Sequence, residues 1–267
     1  MRSRREGHEL RTLAIALLAS LLLWNLPFAG VLLYPFKVLA TWMHELSHGI
    51  VMLISGAGFD RMEIYRDGSG LAFAGYGVGP FASAVIAAAG YMGTPVWGVA
   101  MLLGARGTRS TRAVLAGLGL LLAGTALLAV SNRFGQTALA ITGAAVILVA
   151  AAPRRIAYFV AQLIGAQACI NAVLDIRVLF RPALVVDGQI VRASDAHAMA
   201  RATVGTDARW AVWMWAALWL AWSLALFFVA LRTLSARDRA ARVSGSPATS
   251  PAPPRDRATA APRGDSG

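Results

Sequence analysis

The stretch Thr41-Trp-Met-His44-Glu45-Leu-Ser-His48-Gly-Ile50 writes His-Glu-x-x-His into a run that is otherwise apolar from Val38 to Ile54. On a helix, His44 and His48 lie one turn apart on one face, so both imidazoles can reach a single metal ion. Glu45 sits about 100° further round, close enough to work on a metal-bound water. This is the arrangement of two zinc ligands plus a general base. Its setting sharpens the reading, because His and Glu are disfavoured in a membrane-length apolar run unless chemistry, or a proton or ion path, holds them there.

The rest of the chain agrees with a membrane setting. Of its 267 residues 57% are hydrophobic and only 14% charged, against about 25% charged in soluble proteins. The apolar residues fall into separate uninterrupted runs of a length that spans a bilayer. The expected fold is an all-α polytopic membrane protein with about six or seven transmembrane helices and a short β-hairpin after the metal-motif helix. A net charge of +12 would suggest nucleic acid in a soluble chain. Here the basic residues collect in loops and tails, where they suit membrane flanks, so no nucleic-acid partner is expected. The single cysteine, Cys169, excludes an internal disulfide and a cysteine-rich metal site, and reads as a core residue.

Arg2, Arg4 and Arg5 precede an apolar run from Leu13 to Leu33 that is long enough to span, which predicts an uncleaved first helix bent or broken near Asn25 and Pro27. The second span, Phe36 to Ser55, carries the metal motif on its one polar stripe. From Gly56 to Gly79 the character changes. Met62, Ile64, Leu71 and Phe73 alternate at period two, and Asp67-Gly68-Ser69-Gly70 is turn chemistry, so a β-hairpin is predicted. Its free edge either pairs with an extended peptide or belongs to an ordinary surface hairpin; both readings are open at this level.

Gly79-Pro80-Phe81-Ala82-Ser83 opens a third apolar run to Leu103, whose Gly90, Gly93 and Gly98 suit close helix packing at the centre of a bundle. Spans from Ala113 to Val130 and from Phe134 to Ala152 contain no ionisable residue and read as packing helices. In the sixth, Ile156 to Leu179, Gln167, Asn171 and Asp175 repeat at i, i+4 and i+8 to form a second polar face. A catalytic zinc takes three protein ligands and the motif supplies two, so Asp175 stands as the candidate third. The alternative makes Asp175 a salt-bridge partner of Arg177 or Arg181. Asn171 would be a supporting hydrogen bonder or a contact for substrate backbone.

Residues 181–209 form a polar connection with a turn at Asp187-Gly188 and a capped short helix beginning at Ser194-Asp195. His197 in this Arg-rich segment, and His8 near the start, read as solvated. The last span, Trp210 to Leu231, carries Trp210, Trp213, Trp215, Trp219 and Trp222; indole rings prefer the headgroup level, so those near Trp210 are expected to mark where the helix enters the bilayer. Residues 1–235 are thus expected to form the membrane-embedded domain, and residues 236–267 a disordered Arg/Ala/Pro/Ser-rich tail.

These features together resemble the site-2 protease group of intramembrane zinc metallopeptidases, and more closely its bacterial branch without a PDZ domain. The resemblance runs from about Leu32 to Trp222 and rests on His44-Glu45-x-x-His48, the hairpin, the Gly-rich third segment and Asn171-Ala-Val-Leu174-Asp175. It implies Zn2+ held by His44, His48 and Asp175, with Glu45 as catalytic base. It further implies that Gly79 to Ser83 matches the family's Gly-x-x-x-Asn/Ser/Gly element, giving Gly79 and Ser83 a substrate-binding or supporting role. Ile176 stands where the family has Gly after the aspartate, and the Pro-rich approach to that aspartate is absent. The implied activity is hydrolysis of peptide bonds in transmembrane protein substrates by a multi-pass protein of the cell membrane, in contact with the lipid bilayer. Two other classes stay open: a catalytically inactive scaffold, and a transporter using the His/Glu cluster, although the chain halves show no inverted repeat.

Overall fold

A lipid-facing segment has no hydrogen-bond partner for its backbone but itself, so each long apolar run closes into a helix. A computed structural model describes residues 9–180, 184–191 and 194–244, apart from residues 25 and 27. Its helices are α1 (Glu9–Trp24), α2 (Ala29–Ile54), α3 (Pro80–Gly104), α4 (Thr108–Leu128), α5 (Arg133–Ala151), α6 (Arg154–Ile176), α7 (Asp195–Val204) and α8 (Arg209–Ser244). Two antiparallel hairpins join them: β1 (Phe59–Ile64) with β2 (Gly70–Ala74), and β3 (Leu184–Val186) with β4 (Gln189–Val191). Among the described residues five helices, α3, α4, α5, α6 and α8, are long and apolar enough to cross a membrane. The chain is therefore an all-α multi-pass membrane protein with a small hairpin after the metal-motif helix.

The first apolar run is divided as expected, with helix ending at Trp24 and resuming at Ala29; Asn25 and Pro27 themselves lie outside the described residues. α2 buries Val38, Leu39, Trp42, Met43 and Leu46 against α4 and α6 side chains such as Leu115, Leu122 and Ala161. The Trp42 indole N–H donates to Thr125 Oγ1 at 2.9 Å, which ties α2 to α4. α3 packs against α2, α6, α7 and α8 at the centre of the bundle. Its crossing with α6 is close because both helices present glycine: a Cβ on Gly98 would stand 2.7 Å from Cys169 Sγ and 2.9 Å from the Gly165 carbonyl. In lipid such packing, rather than expulsion of water, holds helices together.

The second half of the chain departs from expectation at one end. α8 continues to Ser244, past the expected stop near Leu231 and into the segment read as disordered. Leu234 and Asp238 are buried there, and the Arg237 guanidinium donates to the Leu103 carbonyl at 3.2 Å. The end of α3 thus gives the helix something to pack on after it has left the apolar span. Residues 245–267 lie outside the described residues.

The hairpin after α2 takes its orientation from three side chains spaced i, i+3 and i+7 on that helix. Tyr34, Lys37 and Thr41 donate to three successive turn carbonyls, Arg66 at 2.8 Å, Asp67 at 2.5 Å and Gly68 at 2.7 Å. Further along, β2 lies so close to α2 that a Cβ on Gly70 would meet Thr41 Cγ2 at 2.7 Å and Glu45 Cγ at 2.8 Å. On the far side β1 is covered. Met62 N–H donates to the Ala129 carbonyl at 2.8 Å, Ser131 N–H to the Met62 carbonyl at 3.1 Å, and the Asn132 amide brackets Ile64.

That pairing settles which way β2 faces. Met62 turns its N–H and C=O away from β2, so its register partner Ala72 belongs to a non-hydrogen-bonded pair and turns its own away from β1. The same parity holds for Ile64 and Gly70. Among the described residues no strand pairs with the other edge of β2, which presents the Gly70 backbone and the Ala72 carbonyl, the Ala72 amide being turned to Glu45.

Candidate metal centre

The i, i+4 spacing of α2 brings His44 and His48 together, their rings edge to face with centroids 4.8 Å apart. His48 is fixed by backbone: its Nδ1 lies 2.7 Å from the Ile86 carbonyl on α3, a distance that requires Nδ1 to carry the proton. Nε2 is left as the free lone pair, which is how a metal-binding histidine is oriented by the partner of its other nitrogen. His44 is held by packing instead. Its ring meets Tyr91 edge to face at 4.7 Å and lies over Gly90, where an added Cβ would be 2.3 Å from Nε2.

The third donor is Asp195. Its Oδ2 lies 3.1 Å from His44 Nε2 and 3.4 Å from His48 Nε2, and the three ligand atoms fall within 4.8 Å of one another. Three lone-pair atoms converging in this way need a cation or a shared proton between them. Two imidazoles and a carboxylate are a donor set that suits zinc.

Local sequence explains why Asp195 is there. Ser194 and His197 form a capping box at the start of α7, with Ser194 N–H donating to His197 Nδ1 at 3.2 Å. Gly205, left-handed at φ 73°, closes the other end. Ala196, Met199 and Ala200 make a small apolar stripe that packs against α3 and α8. With that stripe seated, the first residue of α7 points at the imidazoles, and an acid at this position also suits the helix dipole. His197, expected to be solvated, is half-buried and part of the cap.

A cavity of about 620 Å³ opens in front of the three donors. Glu45, Asp175, Tyr91 and Ser83 line it, together with Leu71 and Ala72 of β2. Glu45 is buried beside both histidines, within hydrogen-bonding reach of the Ala72 amide. Asp175, the candidate third ligand from the sequence, lines the cavity but stands outside the cluster of donors, whose carboxylate is Asp195. The reason is topological: Asp175 sits at the end of α6, whereas the connection after it folds back and inserts α7 beside α3. Gly79 caps α3, away from the cavity lining. Asn171 is buried in α6 and does not line the cavity either. Its neighbour one turn back, Gln167, donates to Ser20 of α1 at 3.1 Å, so this face of α6 serves helix packing.

Of the α8 tryptophans, Trp210 and Trp213 near its start are exposed, and those further along have inward partners. Trp219 is buried and stacks on Tyr91 with centroids 4.9 Å apart and planes 8° from parallel. Trp215 and Trp222 donate inward, to Thr203 Oγ1 and the Met92 carbonyl, each at 3.1 Å. No curated protein and no solved structure matches the chain. The sequence model of the Peptidase M50B-like family matches residues 13–230. That match spans α2 with its His-Glu-x-x-His and α7 with the carboxylate that faces it, and the chain belongs to the M50B-like peptidases of the site-2 protease family.

Proposed function

We propose that this chain is an intramembrane zinc metalloendopeptidase of the cell membrane, in which His44, His48 and Asp195 hold the metal and Glu45 is the catalytic base. The observation that carries the reading is the convergence of His44 Nε2, His48 Nε2 and Asp195 Oδ2 beside Glu45, at the open edge of β2. When bound, zinc supplies Lewis acidity, which acidifies water and polarises a carbonyl. Glu45 takes the proton from the attacking water as its oxygen bonds to the peptide carbon, and returns it to the leaving nitrogen as the C–N bond breaks.

The substrate is a transmembrane helix that unwinds locally, because an intact helix keeps its carbonyls bonded and out of reach. An unwound stretch has backbone groups to satisfy, and the outward-facing Gly70 backbone and Ala72 carbonyl offer an edge to pair with. Small residues on the cavity wall, Ala72, Ala87 and Ala198, leave room for the side chains of that stretch.

The test is Glu45→Gln in proteoliposomes carrying a transmembrane reporter substrate. The variant is expected to retain zinc and lose cleavage. Turnover at the wild-type rate contradicts the assignment.

A further inference from the structure

Hydrolysis leaves one demand unassigned: the negative charge that develops on the carbonyl oxygen when water adds. Enzymes meet it with a fixed hydrogen-bond donor beside the reacting carbon. Several hydroxyls line the cavity, and most are committed to the fold. Thr41 Oγ1 donates to the Gly68 carbonyl, Ser69 Oγ to Asp67, and Ser194 Oγ is engaged with His197.

Tyr91 differs from these. It lies on α3 next to Gly90, the floor under His44, and its side chain lines the cavity with Glu45, Asp175 and Asp195 as charged neighbours. Its ring is clamped from two directions, edge to face by His44 at 4.7 Å and flat against Trp219 at 4.9 Å. A phenol held in this way has lost its rotamer freedom before substrate arrives, and at neutral pH it is a proton donor.

Resting on the peptidase reading above, we propose that the Tyr91 hydroxyl hydrogen-bonds the oxyanion of the tetrahedral adduct, with Trp219 as the residue that positions the ring. No proton is transferred by Tyr91. The water oxygen bonds to the carbonyl carbon, the π electrons move to the carbonyl oxygen, the phenol O–H donates to that oxygen, and the electrons return as the C–N bond breaks.

Tyr91→Phe keeps the ring and both stacking contacts and removes the donor alone. It is expected to retain zinc by mass spectrometry and to lower kcat about a hundredfold, the usual effect of deleting one oxyanion donor, with KM little changed. Affinity for a phosphinate peptide, which mimics the tetrahedral adduct, should fall by a similar factor. Binding of uncleaved substrate, measured in the Glu45→Gln background, should not change. Trp219→Leu should reproduce part of the kcat loss. Turnover by Tyr91→Phe within about threefold of wild type, a loss carried by KM alone, or a loss of zinc overturns the assignment. If Glu45→Gln is inactive while Tyr91→Phe runs at full speed, only this inference fails; if Glu45→Gln cleaves normally, the peptidase reading fails first and takes it along.

Discussion

The α4–α5 pair and the α2–α3 pair are both brought close by glycine, and to different ends. In the first, a Cβ on Gly119 would meet the Gly143 carbonyl at 2.8 Å and Ile147 Cγ1 at 2.6 Å, and a Cβ on Gly143 would meet the Gly119 carbonyl at 2.9 Å. Here backbone rests on backbone, and the glycines set the distance between two helices whose outer faces are exposed leucine and isoleucine. In the second, a Cβ on Gly90 would meet His44 Nε2 at 2.3 Å and one on Gly93 would meet Ser47 Oγ at 2.2 Å. Backbone rests on polar side chains, and the glycines clear space for chemistry. One sequence device, a small residue in an apolar helix, thus builds an inert arm in one region and a reactive chamber in the other.

Alanine at these positions separates the two uses. Gly90→Ala drives a methyl group into the imidazole, so His44 must leave its position. Zinc content and cleavage should both collapse while the thermal unfolding midpoint in detergent changes little. Gly119→Ala should do the reverse, costing about 1–3 kcal/mol of stability through overpacking while the folded fraction keeps its zinc. Equal zinc loss in both variants would show that the chamber is not independent of the arm.

A smaller effect is expected where the hairpin is fastened to α2. Thr41→Val removes the hydroxyl that holds the Gly68 carbonyl, a hydrogen bond worth about 1 kcal/mol. If β2 aligns the substrate, this variant should raise KM roughly fivefold, the equivalent of that energy, with kcat and zinc content unchanged. A fall in kcat alone would separate the hairpin from substrate binding.

The smallest effect belongs to the outer face of the same hairpin. The Glu63 carboxylate accepts from the Tyr65 hydroxyl at 2.5 Å and from the Ser131 hydroxyl at 2.9 Å, and these bonds, with Arg61, hold the carboxyl below its ordinary value against partial burial. A depressed carboxyl contributes stability that is complete above its unfolded value near 4.5 and is lost as the pH falls through the folded value. Glu63→Gln should therefore flatten the decline in unfolding temperature below that pH and leave neutral stability almost unchanged. Solvent screening keeps the effect small.

The legible and illegible parts of the molecule divide along physical lines. His44, Glu45 and His48 could be read because a helix converts a spacing of four into proximity. The hairpin could be read because period two and Asp67-Gly68-Ser69-Gly70 are local signals. Asp195 was hidden because its position depends on a return of the chain. It lies in a polar connection, outside the apolar spans, whereas Asp175 stands at the end of one. The signal that finds it is the cap at Ser194 followed by Ala196, Met199 and Ala200, which marks a helix able to seat itself on the bundle and carry its first residue inward. The extension of α8 was hidden for a similar reason, since its polar composition conceals the packing of Leu234 and the Arg237 contact with Leu103.

In the proposed site α7, rather than the end of α6, completes the metal shell. Zinc content of the purified protein tests it directly, with Asp195→Ala and Asp175→Ala measured side by side. Loss of the metal in Asp195→Ala and its retention in Asp175→Ala is the expected result. Retention in Asp195→Ala with loss in Asp175→Ala would contradict the account and return the third ligand to α6.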